Sequence, residues 1–402
     1  VAENLTSSTS DHNSQTSNFK EHVDMPTNRR TLLAASGAAL VLVAAGGVWR
    51  VLRAPETATD PWDGLATPEP DIRLDAFRHA ILAPNPHNRQ PWIIRLDGAD
   101  GATIFCDLDR RLPHTDPFDR QITIGFGCFL ELARIAAAQR GLAVAATPFP
   151  EGAGERLDRH PVARLQFAPG AVKDPLFAQI PARRSNKEAF DMARPLAAQT
   201  LAEVVETAAV AAGHTTDPQR VQAIRAQVLK AIDIEMHLPR TNQESVDLMR
   251  IGAREVDANP DGIDLHGPLM EALAATGQIS RAALADSSSS AFRSGVSMMH
   301  ETYGAAPGFL WLTTVGNDRA TQLAAGAAYA RLNLASTANG LSMHPMSQSL
   351  QEFPEMAGPY AAIHGLLAKS GERVQMLARI GHGPTVPPAP RWPLETRLAQ
   401  PL

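Results

Sequence analysis

Two stretches of this 402-residue chain repeat each other in register, and that repeat limits the folds available to it. "DRQITIGFGCFLELARIAAAQRGL" begins at Asp119 and "DRATQLAAGAAYARLNLASTANGL" at Asp318. Asp119, Arg120, Gly127, Gly141 and Leu142 match Asp318, Arg319, Gly326, Gly340 and Leu341 at a constant offset of 199. Apolar residues at helical spacing, such as Ile135 with Leu142 and Leu334 with Leu341, and a Gly at the C′ position predict two copies of one helix. An alanine-rich composition accounts for the small residues but not for the fixed Asp-Arg, Gly and Gly-Leu spacing. Small residues on both copies (Gly127, Ala133, Ala136; Gly326, Ala328, Ala330, Ala335) allow close backbone approach. The two helices are therefore expected to pack on each other across a pseudo-twofold axis.

Around them the pattern is mixed. Short runs bounded by Gly, Pro or Asp predict strands at 93–96, 103–108, 163–167, 309–315 and 374–381, and helical periodicity covers 72–82, 197–212, 217–237 and 242–254. The expected class is α+β, with central helices against mixed or antiparallel sheets in two fused lobes, 56–180 and 181–402. Two polar stretches, 257–268 and 285–295, interrupt the second lobe, so an insertion at about 255–300 is expected, either a lid over a site or a mobile excursion.

Composition excludes several functions. Net charge is −5 with mixed signs and no basic stripe, which argues against nucleic acid. Cys106 and Cys128 are too few for a disulfide framework and lack zinc spacing, and the 13 His are scattered, so no metal is expected. There is no G-x-S-x-G, H-E-x-x-H or Walker loop. The first 26 residues are polar without an apolar face. In "TNRRTLLAASGAALVLVAAGGVWRVLR", Arg29 and Arg30 precede an uncharged, weakly apolar run, 31–49, followed by Arg50 and Arg53. Residues 1–55 thus resemble a polar tail and a twin-arginine export signal, and the competing reading of 31–49 is a membrane anchor. The expectation is a protein handed to the twin-arginine machinery and exported, periplasmic or tethered to the membrane facing the periplasm.

Two further stretches carry chemistry. "IPARRSNKEAFD" (180–191) places Arg183, Arg184, Ser185 and Lys187 in one turn, which suits a phosphate monoester or equally a solvated basic turn. "APNPHNRQPW" (83–92) holds Pro84, Pro86 and Pro91, so it is stiff, either as a plain connection or as a preorganised ligand loop.

Together with the two Gly-ending helices and the tail "PRWPLETRL", these stretches resemble the FMN-dependent nitroreductase superfamily, and most of all its Acg-like branch, in which two nitroreductase-like lobes are fused. The resemblance covers most of residues 70–400. It implies a nitroreductase-like fold and an FMN cofactor, with Arg183, Ser185 and Lys187 on the phosphate turn. Pro84, Asn85, Pro86, Asn88 and Gln90 fall on the loop along the flavin, and Arg391 on a second phosphate contact. Pro345 and Met346 of "NGLSMHPMSQ" fall where the family approaches flavin N5 and O4, although this stretch departs from the Glu-Gly pattern of well-known members. His344 and Gln348 lie beside them.

The flavin loop belongs to the first lobe and the phosphate turn to the second, so the resemblance implies one composite site. The reciprocal site is expected to fail, because "ATPEPDIRL" (66–74) has no Arg-x-Ser-x-Lys and "AALADSSSS" stands where a second Asn-x-Gln-Pro-Trp would fall. The expectation is one FMN per chain in a monomer that imitates a dimer. Function is then two-electron flavin chemistry between a small-molecule electron donor and acceptor. The alternatives are an exported protein that sequesters FMN with little turnover, and an apo structural descendant.

Overall fold

Why the repeat folds as it does is visible where its two copies cross. In a computed structural model describing residues 54–399, Gly127 and Gly326 face each other, and neither could carry a side chain. A Cβ on Gly127 would stand 2.1 Å from the Leu323 carbonyl oxygen, and one on Gly326 2.0 Å from the Ile124 carbonyl oxygen. The pairs Gly127–Leu323 and Gly326–Ile124 are exchanged by the 199-residue offset, so the crossing lies on the pseudo-twofold axis. Residues 29–53, with the arginine pair and the apolar run, lie outside the described residues.

In chain order the helices are α1 Asp60–Asp63, α2 Ile72–Ala80, α3 Arg120–Gln139, α4 Ala198–Glu206, α5 Pro218–His237 and α6 Pro239–Asp247. They continue with α7 Ala253–Ala258, α8 Pro268–Ala275, α9 Arg281–Ala285, α10 Ser290–Gly304, α11 Arg319–Ala338 and α12 Ala357–Leu367. The strands are β1 Trp92–Asp97, β2 Gly101–Cys106, β3 Leu142–Pro148, β4 Ala163–Pro169, β5 Ala211–Thr215, β6 Met249–Ile251, β7 Ile263–Leu265, β8 Gly308–Val315, β9 Ser342–Pro345 and β10 Glu372–Gly381.

The fold is α+β with two lobes of one topology. The first sheet runs β1-β2-β4-β3 and the second β5-β8-β10-β9, all pairs antiparallel. In each, the first two strands are followed by a repeat helix (α3 or α11) and then by the last two, the final strand inserting between the second and third. Duplication thus extends from two helices to two whole sheets. The repeat arginines cross the axis in opposite directions. Buried Arg120 donates to the Leu350 carbonyl at 2.7 Å, to that of Gln375 at 2.9 Å and to the Glu352 carboxylate at 3.1 Å. Buried Arg319 reaches back to the Phe118 carbonyl at 2.7 Å and the Thr123 hydroxyl at 3.0 Å. Helix α3 is apolar and long enough to cross a membrane, but it is the buried core helix.

Three expectations change. Residues 211–215 are strand β5 rather than the end of a helix, because their backbone pairs with β8. Helix α6 ends at Asp247, and Met249–Ile251 forms a two-stranded parallel ribbon with β7. The linear boundary at 180 fails for the tail, which returns to the first lobe. Leu398 bridges to Ile94 on the exposed edge of β1, and the Ala399 amide donates to the Ile94 carbonyl at 2.8 Å. An edge strand leaves backbone groups unpaired, and the tail satisfies them.

Gly127→Ala or Gly326→Ala is expected to lower the unfolding free energy by about 3 kcal/mol, since carbonyl oxygens cannot give way as a flexible side chain would. Gly295→Ala, in α10 with open space at its Cβ, serves as the control and is expected to be neutral or stabilising by about 0.5 to 1 kcal/mol. Chemical denaturation of the three variants checks this; equal effects would contradict the close crossing.

Candidate functional site

The loop after α2 is built against its own backbone preferences. His87, Asn88 and Gln90 all have positive φ, at 46°, 50° and 49°. Non-glycine residues in that region cost about 1 to 3 kcal/mol each and persist only when surroundings over-determine them. The surroundings here are specific. The Gln90 amide donates to Asn85 Oδ1 at 2.7 Å, and Asn85 Nδ2 donates to the Ala83 carbonyl at 3.0 Å. Asn88 Nδ2 donates to the Pro390 carbonyl at 2.9 Å while its Oδ1 accepts from Arg391 at 2.7 Å. Gln90, fully buried, donates to the Pro260 carbonyl at 2.8 Å and accepts from the Trp392 amide at 2.9 Å. Gly125 on α3 lets the loop lie on the central helix, since a Cβ there would meet the Asn85 Cβ at 3.1 Å.

The side-chain amides of Asn85, Asn88 and Gln90 are engaged within the protein. Those amides fasten the loop to itself, to the tail and to the insertion, and the loop's shape is what they provide.

Beside the loop lies a cluster of like charge. Arg183 is buried and donates through Nη2 to the Leu82 carbonyl at 2.8 Å, while its Nε and Nη1 have no partner. Arg391, also buried, spends Nε on the Ile81 carbonyl at 2.9 Å and Nη2 on those of Leu82 and Ala83 at 3.1 and 3.2 Å. Arg184 donates to the Pro181 and Arg183 carbonyls at 2.7 and 2.8 Å, and its buried Nε is unpartnered. All three guanidinium carbons lie over one indole, that of Trp62, at 5.8 Å (Arg183), 4.6 Å (Arg184) and 5.4 Å (Arg391). Burial pushes the Arg183 pKa down to about 10, and burial plus the charges of Arg183 and Arg184 holds Arg391 well below its ordinary value. Among the described residues no carboxylate forms an ion pair with any of the three. A strict alternation along an extended segment would put Arg184 opposite Arg183; both instead reach Trp62.

The segment carrying these arginines is no helix start. Ser185 bridges to Met343 and the Asn186 amide donates to the Met343 carbonyl at 2.9 Å, so 183–187 runs extended beside β9. Arg379, buried beneath, donates to the Glu188 carbonyl at 2.8 Å and stacks on Phe190 at 4.0 Å, fixing the segment from below. Lys187 has a side chain open to solvent, but protein crowding around its ammonium lowers its pKa, with Asp264 acting against that. Burial takes the His87 pKa to about 4, with the charges of Lys187 and Arg89 adding to the effect, so His87 is neutral. The structure thus brings Pro84–Gln90, Arg183 and Arg391 together, with Lys187 at the His87 end.

Pro345 pairs in register with Ala378, and Met346 is fully buried in the second lobe's core, its amide donating to the Leu377 carbonyl at 2.7 Å. That amide is thus engaged in the second lobe's sheet. His344 accepts at Nδ1 from Arg379 at 3.1 Å, and burial with the Arg379 and Lys187 charges keeps it neutral.

Sequence reasoning missed Trp62, Asp257 and Asp261. Asp261 takes Arg110 and Arg250 at 2.6 Å and Arg89 at 3.6 Å, so the insertion is pinned to the first lobe beside the loop. Burial opposes its ionisation, but those three arginines hold its pKa below the ordinary value. Lone residues in polar stretches gave no periodicity to reveal them.

No family model matches the chain. Two Mycobacterium tuberculosis proteins, from strains CDC 1551 / Oshkosh and ATCC 25618 / H37Rv, are provisionally named NAD(P)H nitroreductases. Each is 27% identical over 332 residues, covering 79% of this chain and 90% of the relative. By sequence the chain is similar to these two proteins over most of its length. Solved structures that resemble it include the FMN and NADPH-dependent nitroreductase NfnB of Sphingopyxis (19% identical, 56% of this chain and 97% of that one, TM-score 0.34). A nitroreductase with bound FMN from Bacteroides fragilis matches at 11% identity, 53% and 90% coverage and TM-score 0.32.

One buried acid of the second lobe gives a pH prediction. Glu235 on α5 is pushed up to about 7 by burial, against hydrogen bonds from Gln351 and Gln348. Its pKa in the folded chain exceeds the ordinary 4.5, so the native state holds the proton more tightly. The stability this confers is fully present below pH 4.5 and is lost as pH rises through about 7. Glu235→Gln is therefore expected to be more stable than the parent by roughly 3 kcal/mol at pH 8, the difference shrinking toward pH 4.5 in urea denaturation.

Proposed function

We propose that this nitroreductase relative is an FMN-binding oxidoreductase of the Acg-like kind, with one composite flavin site per chain. The observation that carries the reading is the Arg183–Arg184–Arg391 cluster, which gathers three guanidinium groups without a carboxylate and leaves Nε and Nη1 of Arg183 unpartnered in the interior. Buried like charges with orphaned donors are costly unless an anion completes them, and charge-assisted hydrogen bonds contribute about 1.5 to 3 kcal/mol each. A phosphate monoester dianion fits that donor set in charge and hydrogen-bond sense.

Arg183 would hold the phosphate through Nε and Nη1 and Arg184 through Nε, Arg391, whose donors are taken by Ile81, Leu82, Ala83, Asn88 and Pro390, would add charge beside it, and Lys187 would serve an anionic or carbonyl oxygen farther along the strained loop. Pro84, Pro86 and the loop fastened by Asn85, Asn88 and Gln90 would present a preshaped wall, with little ordering left to do on binding. When bound, FMN supplies two-electron redox chemistry between a small-molecule donor and acceptor. The protein would act as a monomer, since both halves of the site come from one chain. The Arg29–Arg30 pair and the run 31–49 support export by the twin-arginine route to the periplasm, free or tethered.

A second reading, a flavin-sequestering protein with little turnover, is favoured by the cover over the site. Trp62 lies on the guanidinium groups and Asp261 pins the insertion against the loop. Purified protein is expected to carry close to one equivalent of FMN by absorbance, and Arg183→Ala to weaken FMN binding about ten-fold or more. A colourless protein that takes up no added FMN would refute both readings. Anaerobic titration with NADH, NADPH and a quinol separates them: bleaching supports the oxidoreductase, and none with any of the three supports sequestration.

A further inference from the structure

The proposed phosphate end is covered by a segment that belongs to neither sheet. Residues 56–58 offer three successive backbone amides to a single carboxylate. Glu56 and Thr57 donate to Asp257 Oδ1 at 2.9 and 3.0 Å, and Ala58 at 3.2 Å. Asp257 is in α7 of the insertion, so the anchor comes from the second lobe's excursion and not from the first lobe that the segment precedes. Two further bonds fix the segment to the tail: the Arg391 amide donates to the Ala58 carbonyl at 2.8 Å, and Trp62 Nε1 to the Ala389 carbonyl at 2.8 Å. Between these anchors, α1 is a single turn of four residues with a proline at its second position. Its one buried side chain is Trp62, 6% exposed and laid on Arg183, Arg184 and Arg391.

We infer that residues 56–63 are a strap that closes the phosphate end of the site, with Trp62 as its latch and Asp257 as its peg. The inference rests on the cofactor reading above. Its argument is mechanical. The indole covers the guanidinium groups of all three arginines, so a phosphate held by the unpartnered N–H groups of Arg183 and Arg184 leaves most directly when the indole lifts. The strap is short, and its anchors are a single carboxylate, two carbonyl acceptors and one ring, so it can lift without unfolding either sheet. The tail that carries Arg391 is bonded to the same strap at Ala58 and Trp62, so lifting the strap also loosens the third cation of the cluster. Trp62 is thus a positioning residue, orienting three guanidinium planes by stacking, and the strap sets how fast the cofactor is released more than how it reacts.

The test uses the full chain loaded with FMN. Release is followed by the rise of free-flavin fluorescence after dilution, and backbone hydrogen exchange is followed over residues 54–66. Trp62→Ala and Asp257→Ala are expected to release FMN about ten-fold faster than the parent, and Trp62→Phe within about three-fold of it. Exchange at 56–58 is expected to rise in Asp257→Ala, which leaves the latch residue in place and serves should Trp62→Ala fold poorly. If FMN is retained but both variants release it at the parent's rate while 56–58 exchange freely, the strap is overturned and the cofactor reading stands. If the parent itself takes up no FMN, the cofactor reading falls and the strap's role falls with it.

Discussion

The contact between Gly127 and Gly326 sets everything else in the molecule. Two helices whose backbones meet at a glycine pair can approach closer than any pair of side chains permits, and the carbonyls of Ile124 and Leu323 fill the space a Cβ would need. That approach brings Arg120 and Arg319 across the axis, each satisfied by backbone of the opposite lobe. It also places Gly125 two residues from Gly127, where the strained loop 85–90 rests on α3. The site is therefore a consequence of the crossing: the loop has a floor only because the central helix presents bare backbone there.

Two lobes of one topology would make two equal sites, yet the molecule carries its cationic cluster on one side. Asymmetry comes from the connections, not from the sheets. The link between the lobes supplies Arg183 and Arg184, the returning tail supplies Arg391, and the segment before α2 supplies Trp62. Each of these is unique in the chain and none has a counterpart at the 199-residue offset. Duplication provided the frame, and single-copy segments threaded over it made one end different from the other.

How far this was legible in sequence follows from which physics each part depends on. The repeat helices, the strands at 163–169 and 308–315 and the helix 218–237 were readable because periodicity and punctuation are local. Strand β5 was not, since Ala211–Thr215 is a strand only by virtue of pairing with β8. The proximity of residues 84–90, 183 and 391 was readable only through resemblance, and nothing local requires it. The hydrogen-bond partners of Asn85, Asn88, Gln90 and Met346 were not legible, because residue type says what a group can donate or accept, not whether a neighbour has already taken it. Trp62 was missed for a related reason: a lone aromatic in a polar stretch becomes informative only when its neighbours are known.

Burial of charge is what joins stability to function here. Arg120, Arg319, Arg379 and Arg391 are buried like Arg183, yet their nitrogens are met by carbonyls, a hydroxyl, an imidazole, a side-chain amide or a carboxylate. Arg183 is the departure, with two nitrogens unmet and two like charges sharing its indole. Four deeply buried guanidinium groups are satisfied in this way, and Arg183, beside the strained loop 85–90, keeps two nitrogens unmet. The indole above it acts in the same sense. A ring face stabilises the cations without consuming their N–H donors, so Trp62 can cover the cluster while leaving its hydrogen-bonding capacity for an anion.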